Sequence, residues 1–178
     1  MINEIDTKIL TIIQQDARIS NADIARQVGL APSAVLERVR KLEERGVIRG
    51  YAAEIDAASI GFGLTAFVFV RTNECGDPTD KLLANIPEVL EVHDVAGEES
   101  YLLKVRAKNT EELAKLLREK IKAVPNVLLT RTTVVLQTIK ETTALPLENL
   151  GADSGETAKR KPRKNVKSPG QSKQKEEN

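Results

Sequence analysis

The spacing of the apolar residues changes once along this chain, near Gly50, and that change limits what the chain can fold into. Before it, Ile5, Ile9, Ile12 and Ile13 recur every three or four residues, which predicts a helix ending at about Gln15. Ser20 precedes a second short helix, Asn21 to Val28, with Ile24, Ala25 and Val28 on one face. A serine there accepts an orphan N–H of the first turn, and Asp23 suits the positive end of the helix dipole. Gly29 can take the left-handed conformation that ends this helix. Pro32 fits the first turn of a third helix, whose stripe is Val35, Val39 and Leu42 and whose end is Gly46. Val47-Ile48 and Tyr51 to Ile55 read as extended chain. Two short helices about the tight turn Gly29-Leu30-Ala31 make a helix-turn-helix.

Past Gly50 the pattern mixes periods of two and of three to four. Leu64 to Val70 is a β-branched and aromatic strand. A helix from about Thr79 to Ile86 follows, then strands Val89 to Val95 and Tyr101 to Arg106, with a turn at Gly97-Glu98-Glu99. A longer helix, about Thr110 to Ala123, turns Leu113, Leu116, Leu117 and Ile121 to one side and stops at Pro125. The last strand runs Val127 to Ile139. This βαββαβ order predicts a ferredoxin-like domain, so the fold class is α+β. The expected organisation is a helix-turn-helix (winged-helix-like) domain at 1–50, a linker strand at 51–63, a ferredoxin-like domain at 64–142, and a disordered basic tail at 143–178.

Composition removes several function classes. Cys75 is the only cysteine and His93 the only histidine, so neither an intrachain disulfide nor a Cys/His zinc site is expected. His93 reads as a structural strand residue, and with no nucleophile motif, phosphate loop or dinucleotide glycine pattern, no enzyme and no cofactor are expected. No apolar run is long enough to cross a bilayer, and the first residues lack a signal-peptide layout. The expected setting is cytoplasmic and nucleoid-associated, with no membrane contact.

Charge is uneven. Residues 1–50 carry eight basic and seven acidic side chains, 51–158 carry eleven and seventeen, and 159–178 carry eight and two. The middle of the chain would repel nucleic acid and the end would attract it.

In a helix-turn-helix the second helix enters the major groove. Opposite Val35, Val39 and Leu42 that helix carries Ser33, Glu37, Arg38 and Lys41, with Arg40 nearby. Arg38 is expected to fork onto a guanine edge, and Ser33 and Glu37 to touch base edges, Glu37 accepting from cytosine. Arg40, Lys41 and Arg49 suit phosphates, as do Arg18, Ser20 and the backbone at Asn21. The alternative is a structural three-helix unit with a solvated basic face. The small net charge of this zone favours a dimer that doubles the grip on the duplex.

Several of these segments resemble the Lrp/AsnC family of leucine- and asparagine-responsive (feast/famine) regulators. They are Ile-Asp-Thr-Lys-Ile-Leu from Ile5, Asp-Ala-Arg-Ile-Ser-Asn from Asp16, Val-Gly-Leu-Ala-Pro-Ser-Ala-Val-Leu-Glu-Arg-Val-Arg-Lys-Leu-Glu from Val28, and Gly-Val-Ile-Arg-Gly-Tyr from Gly46. Val-Ala-Gly-Glu-Glu-Ser-Tyr-Leu-Leu-Lys at 95–104 and Thr-Arg-Thr-Thr-Val-Val-Leu at 130–136 resemble the loop and strands of the family's amino-acid-sensing domain. The resemblance covers roughly residues 2–142. It implies a transcription regulator bound to double-stranded DNA, a dimer formed through the sheets, and a higher oligomer (tetramer, octamer or similar).

The resemblance also implies a small amino-acid-like effector held between subunits. Its loop would map to Ala96, Gly97, Glu98, Glu99, Ser100 and Tyr101, met by Thr130, Thr132 and Thr133 on the last strand of a neighbouring subunit. Ser100 stands where family members often carry an acid beside the tyrosine, so Ser100 would offer a neutral hydrogen bond, with Glu98 or Glu99 as substitutes. Gly97 also has a plain reading as a turn glycine, and Tyr101 as an ordinary strand residue. Ala31 stands where a serine cap is usual. Other readings are an architectural DNA-coating protein with little sequence preference and an enzyme on the ferredoxin-like half. No acid interrupts residues 159–175, which predicts either a DNA-binding arm or a solubilising tail.

Overall fold

The computed structural model describes residues 2–73 and 78–147, and the chain divides into two units. The first comprises residues 1–50 together with the chain from Ala144 onward. Its helices are α1 (Glu4–Gln15), α2 (Asn21–Val28) and α3 (Pro32–Glu44). Local chemistry sets each boundary. The Asn3 side chain accepts from the Asp6 N–H and the Asp6 carboxylate accepts from the Asn3 N–H, a reciprocal cap on α1. Ser20 caps α2 by accepting from the Asp23 N–H at 3.1 Å, and Gly29 closes it at φ 71°. Pro32 opens α3 behind Ala31, which offers no side-chain cap. The core of this unit is Ile9, Leu10, Ile24, Ala25, Val35, Val39, Leu42 and, from the far end of the chain, Leu147.

Residues 51–143 form the second unit. Its elements are β1 (Leu64–Thr72), α4 (Thr79–Ala84), β2 (Val89–Asp94), β3 (Tyr101–Ala107), α5 (Thr110–Lys115, continuing as a π-helical turn to Ile121) and β4 (Val127–Val134). The sheet order is β2-β3-β1-β4, antiparallel throughout, as a ferredoxin-like domain requires. Alternation gives the sheet two faces. Ala66, Val68, Val70, Tyr101, Leu103 and Val105 share the buried face with Leu83, Leu113, Leu116 and Ile121 from the helices. By register, Phe67, Phe69, Arg71, Leu102, Lys104, Arg106, Leu129, Arg131 and Thr133 share the other face.

Three boundaries differ from the sequence reading. The 51–63 segment forms no strand among the described residues; it is irregular, with a turn at Ala57–Gly61. A strand needs a neighbour for its N–H and C=O groups, and this chain supplies none there. β4 ends at Val134 rather than Ile139, because its partner β1 begins at Leu64: the Val135 N–H donates to the Thr65 carbonyl and pairing stops. Residues 144–147, assigned from sequence to a disordered tail, pack into the first unit. Leu147 is buried there, and the Gln14 side chain grips the Leu145 backbone at both groups, accepting from its N–H at 2.8 Å and donating to its carbonyl at 3.2 Å. The remainder of the tail, from residue 148, lies outside the described residues, as does Cys75.

Candidate functional site

The outer stripe of α3 is Ser33, Leu36, Glu37 and Arg40, all exposed at the three-and-four spacing of one helix face. Leu36 is 55% exposed and has no core to cover it. Sequence reasoning missed it, although an apolar residue off the Val35–Val39–Leu42 stripe was the available signal.

The charged side chains of α3 are largely engaged with one another. Glu37 accepts from Arg40 at 3.0 and 3.1 Å and pairs with Lys41 at 3.3 Å, and Arg40 also bonds Glu44. The Arg40 and Lys41 partners pull the Glu37 carboxyl down to about 2. Arg38, expected to read guanine, instead donates to the Asp6 carboxylate of α1 at 2.8 Å. Asp6 is buried, so this pair ties α3 to α1 and gives Arg38 a structural task. Elsewhere in residues 2–50, Lys8 pairs with Glu4 and Arg26 with Asp23. Arg18, Arg45 and Arg49 are exposed and make no ion pair among the described residues. Ser20 and Asn21 stand at the start of α2, where Ser20 is already the cap.

The second candidate site is the 95–100 loop between β2 and β3. It is pinned to its own sheet from three directions. The Ser100 N–H donates to the Val70 carbonyl at 2.8 Å, and its hydroxyl oxygen accepts from the Thr72 N–H at 3.2 Å and from the Thr72 hydroxyl at 2.9 Å. Glu98 accepts from Arg71 at 3.2 Å. Glu99 accepts from two nitrogens of Arg131 at 2.9 and 3.1 Å, and the Arg131 guanidinium lies 4.2 Å from the centre of the Phe69 ring. Arg131 holds the Glu99 carboxyl below its ordinary value of 4.5.

This geometry revises several sequence expectations. The Ser100 hydroxyl oxygen already accepts two bonds from Thr72 of its own chain, which leaves its proton as what it could offer a ligand. Tyr101 is a core residue, 1% exposed, so its ring does not face a ligand from this chain. The three threonines do not share a face: Thr130 and Thr132 stand opposite Val70 and Val68 on the helix side, while Thr133 stands opposite Phe67 on the other. Ala96, Gly97 and Glu98 are exposed together at the loop tip. Gly97 needs neither a positive φ nor the absence of a side chain for packing, since a Cβ there would meet nothing within 4 Å. The turn itself therefore does not demand a glycine. No cluster of metal-ligating side chains occurs among the described residues.

A helix-turn-helix with one exposed helix stripe, joined to a separate α+β sheet domain with a charged loop, defines a DNA-binding regulator with a ligand-binding domain. Known proteins agree. A family model described as winged helix-turn-helix DNA-binding matches residues 2–49, and the Lrp/AsnC ligand binding domain model matches residues 65–145. Over 149 residues the chain is 40% identical to the HTH-type transcriptional regulator FL11 of Pyrococcus horikoshii, covering 83% of this chain and 97% of that one. It is 36% identical to the leucine-responsive regulatory protein of Escherichia coli, covering 83% and 92%. Among solved structures, a transcriptional regulator of Neisseria meningitidis in its L-Met complex superposes with a TM-score of 0.79 at 31% identity, over 84% of this chain and 99% of that one. The feast or famine regulatory protein of M. tuberculosis complexed with L-methionine gives 0.76 at 36%, over 82% and 99%.

This chain belongs to the Lrp/AsnC family of transcriptional regulators. Its domains and relatives are regulators rather than enzymes, which sets aside the enzymatic alternative. Among the described residues no helix is long and apolar enough to cross a membrane.

Proposed function

We propose that this regulator binds a small amino-acid-like effector at the 95–100 loop, and that the effector changes how assembled copies hold DNA. The observation that carries the reading is the loop tip. Gly97 is a glycine without a local reason, beside two acid–arginine pairs, Glu98–Arg71 and Glu99–Arg131. A free amino acid carries one positive and one negative group, so it complements such a pair at both ends. The open space over Gly97 suits a close approach by a ligand or by a neighbouring subunit's strand. Two structurally similar regulators were solved with L-methionine, which supports an amino acid as the class.

On the DNA side, Ser33, Leu36 and Glu37 form the base-facing stripe of α3, with Leu36 against a thymine methyl group. Arg18, Arg40, Lys41, Arg45 and Arg49 serve phosphates, with Ser20 and Asn21 at the α2 N-terminus. A homodimer joined through the sheets, assembling further, supplies the second half-site.

Thermal shifts with each of the twenty amino acids test the effector. A ligand at a hundred times its Kd adds about 2.7 kcal/mol. Gly97→Ala should leave the unliganded melting temperature unchanged, within about 0.5 kcal/mol, and abolish the shift. A Gly97→Ala protein that responds like the wild type, or a wild type that responds to no amino acid, rejects this site.

A further inference from the structure

The residues between β4 and the end of the described chain carry a feature the regulator's two domains do not use. After β4 the chain returns to the DNA-binding unit and is fastened there. Leu147 enters the core of α1, α2 and α3, and Gln14 clamps the Leu145 backbone by both its N–H and its C=O. Burying that leucine stabilises the attachment. The chain that continues from this clamp is the most basic stretch of the molecule, with Lys159, Arg160, Lys161, Arg163, Lys164, Lys167, Lys173 and Lys175 and no acid among positions 159–175.

We infer that the C-terminal basic stretch is an arm of the DNA-binding domain, positioned by the Leu145–Leu147 clamp to neutralise duplex phosphates flanking the site read by α3. The inference rests on the DNA-binding role of the helix-turn-helix and adds an element to it.

Two independent observations lead to duplex DNA as the partner. The first is reach. Lys159 is twelve residues on from Leu147, which even a fully extended chain spans in no more than about 40 Å. A domain of some fifty residues is about 25 Å across, so the basic stretch begins within reach of any duplex that domain holds. The second is charge. Five of the eight cations in residues 1–50 (Lys8, Arg26, Arg38, Arg40 and Lys41) already sit in ion pairs within the domain. Arg18, Arg45 and Arg49 have no such partner to give up among the described residues, whereas the arm brings eight more cations. Nonspecific affinity grows with each phosphate neutralised, so the arm adds substantially to what the helix-turn-helix supplies. The acidic 51–158 region is the rival occupant within the chain, and the salt dependence separates the two.

The test uses full-length protein and a duplex selected by it from a random pool, with affinity measured between roughly 50 and 200 mM salt. One variant replaces Lys159, Arg160, Lys161, Arg163 and Lys164 with Gln. Each phosphate that is no longer neutralised flattens the log–log slope by about 0.9, so four such phosphates flatten it by about 3 to 4. A second variant, Gln14→Ala, changes an exposed helix residue and leaves the arm's charge intact. It should shorten the footprint at its flanks and weaken binding severalfold at low salt, with the bases read by α3 still protected.

An unchanged slope in the first variant overturns the arm. A steeper slope in the first variant assigns the stretch to the chain's own acidic region and also overturns it, as does tail-dependent binding of single-stranded RNA without any effect on the duplex. A Gln14→Ala footprint identical to wild type overturns the role of the clamp. In each case, a neutralised variant that still selects the same duplex leaves the helix-turn-helix reading standing.

Discussion

The two candidate sites are both dense in charge, and they use it in opposite ways. On α3 the partners lie three or four residues apart: Glu37 with Arg40 and Lys41, and Arg40 with Glu44. At the 95–100 loop they lie far apart in sequence: Glu98 with Arg71 and Glu99 with Arg131. Pairs within one exposed helix form and break with the helix in place and contribute a few tenths of a kcal/mol each. Pairs between elements join the loop to β1 and β4. The exposed face of α3 thus has interchangeable internal partners that a competing anion can displace cheaply. The 95–100 loop has dedicated ones, reaching it from β1 and β4.

The sharpest way to probe this contrast within the first unit is Arg38→Ala. Asp6–Arg38 ties α3 to α1, and its loss leaves a buried carboxylate with the Asn3 N–H and without its arginine. A loss of about 1–3 kcal/mol is expected in urea denaturation, smaller than for a fully buried pair because Arg38 is a third exposed. A change no larger than that of Arg18→Ala would erase the distinction.

An intermediate effect is expected from acid. Glu141 comes from beyond β4 and bonds Lys104 and Arg106 of β3, with Glu91 of β2 on the same lysine. Lys104 holds the Glu141 carboxyl below its ordinary 4.5, while the His93 ring first and Lys104 next lower Glu91. Both groups therefore bind protons more tightly in the unfolded chain. Their stabilising contribution is present above about pH 4.5 and is lost as the pH falls through the lower folded-state values. Lys104 is raised above 10.5 by Glu141, and its part is lost only as pH climbs through that raised value. Glu141→Gln should therefore narrow the melting-temperature gap between pH 7 and pH 3. An identical pH profile for variant and wild type would show the pairs to be inert.

The smallest stability effect belongs to Glu37→Gln, with a melting temperature indistinguishable from wild type, since its pairs lie on an exposed helix face. The same change releases Arg40 and Lys41 and should tighten nonspecific duplex binding severalfold at low salt. Unchanged or weaker nonspecific binding would show that Glu37 does not hold Arg40 and Lys41 back from phosphates.

What could be read from the sequence follows the same division between near and far. Helix ends were legible where the cap is a neighbour: Ser20 beside Asp23, Gly29 at a positive φ, Pro32 opening α3. The βαββαβ order was legible because alternation and turn residues are local. Hidden were the features that depend on a remote partner. β4 stops at Val134 because β1 starts at Leu64, and nothing in the Val127–Ile139 run announces that. Glu98, Glu99 and Ser100 were readable as ligand groups, yet Arg71, Arg131 and Thr72 hold them, about thirty residues away in the chain. Leu147 resembled the start of a tail and is part of a core laid down by the first forty residues.

That clamp makes the sheet domain an insertion: the chain leaves one folded unit after Gly50, builds a second, and re-enters the first at Ala144. A protease cut in the irregular 51–63 stretch would consequently give two fragments that stay associated, because Leu147 of the larger fragment completes the core of the smaller. Allosteric messages in such a molecule have two covalent routes into the DNA-binding unit, and severing one of them leaves the other in place.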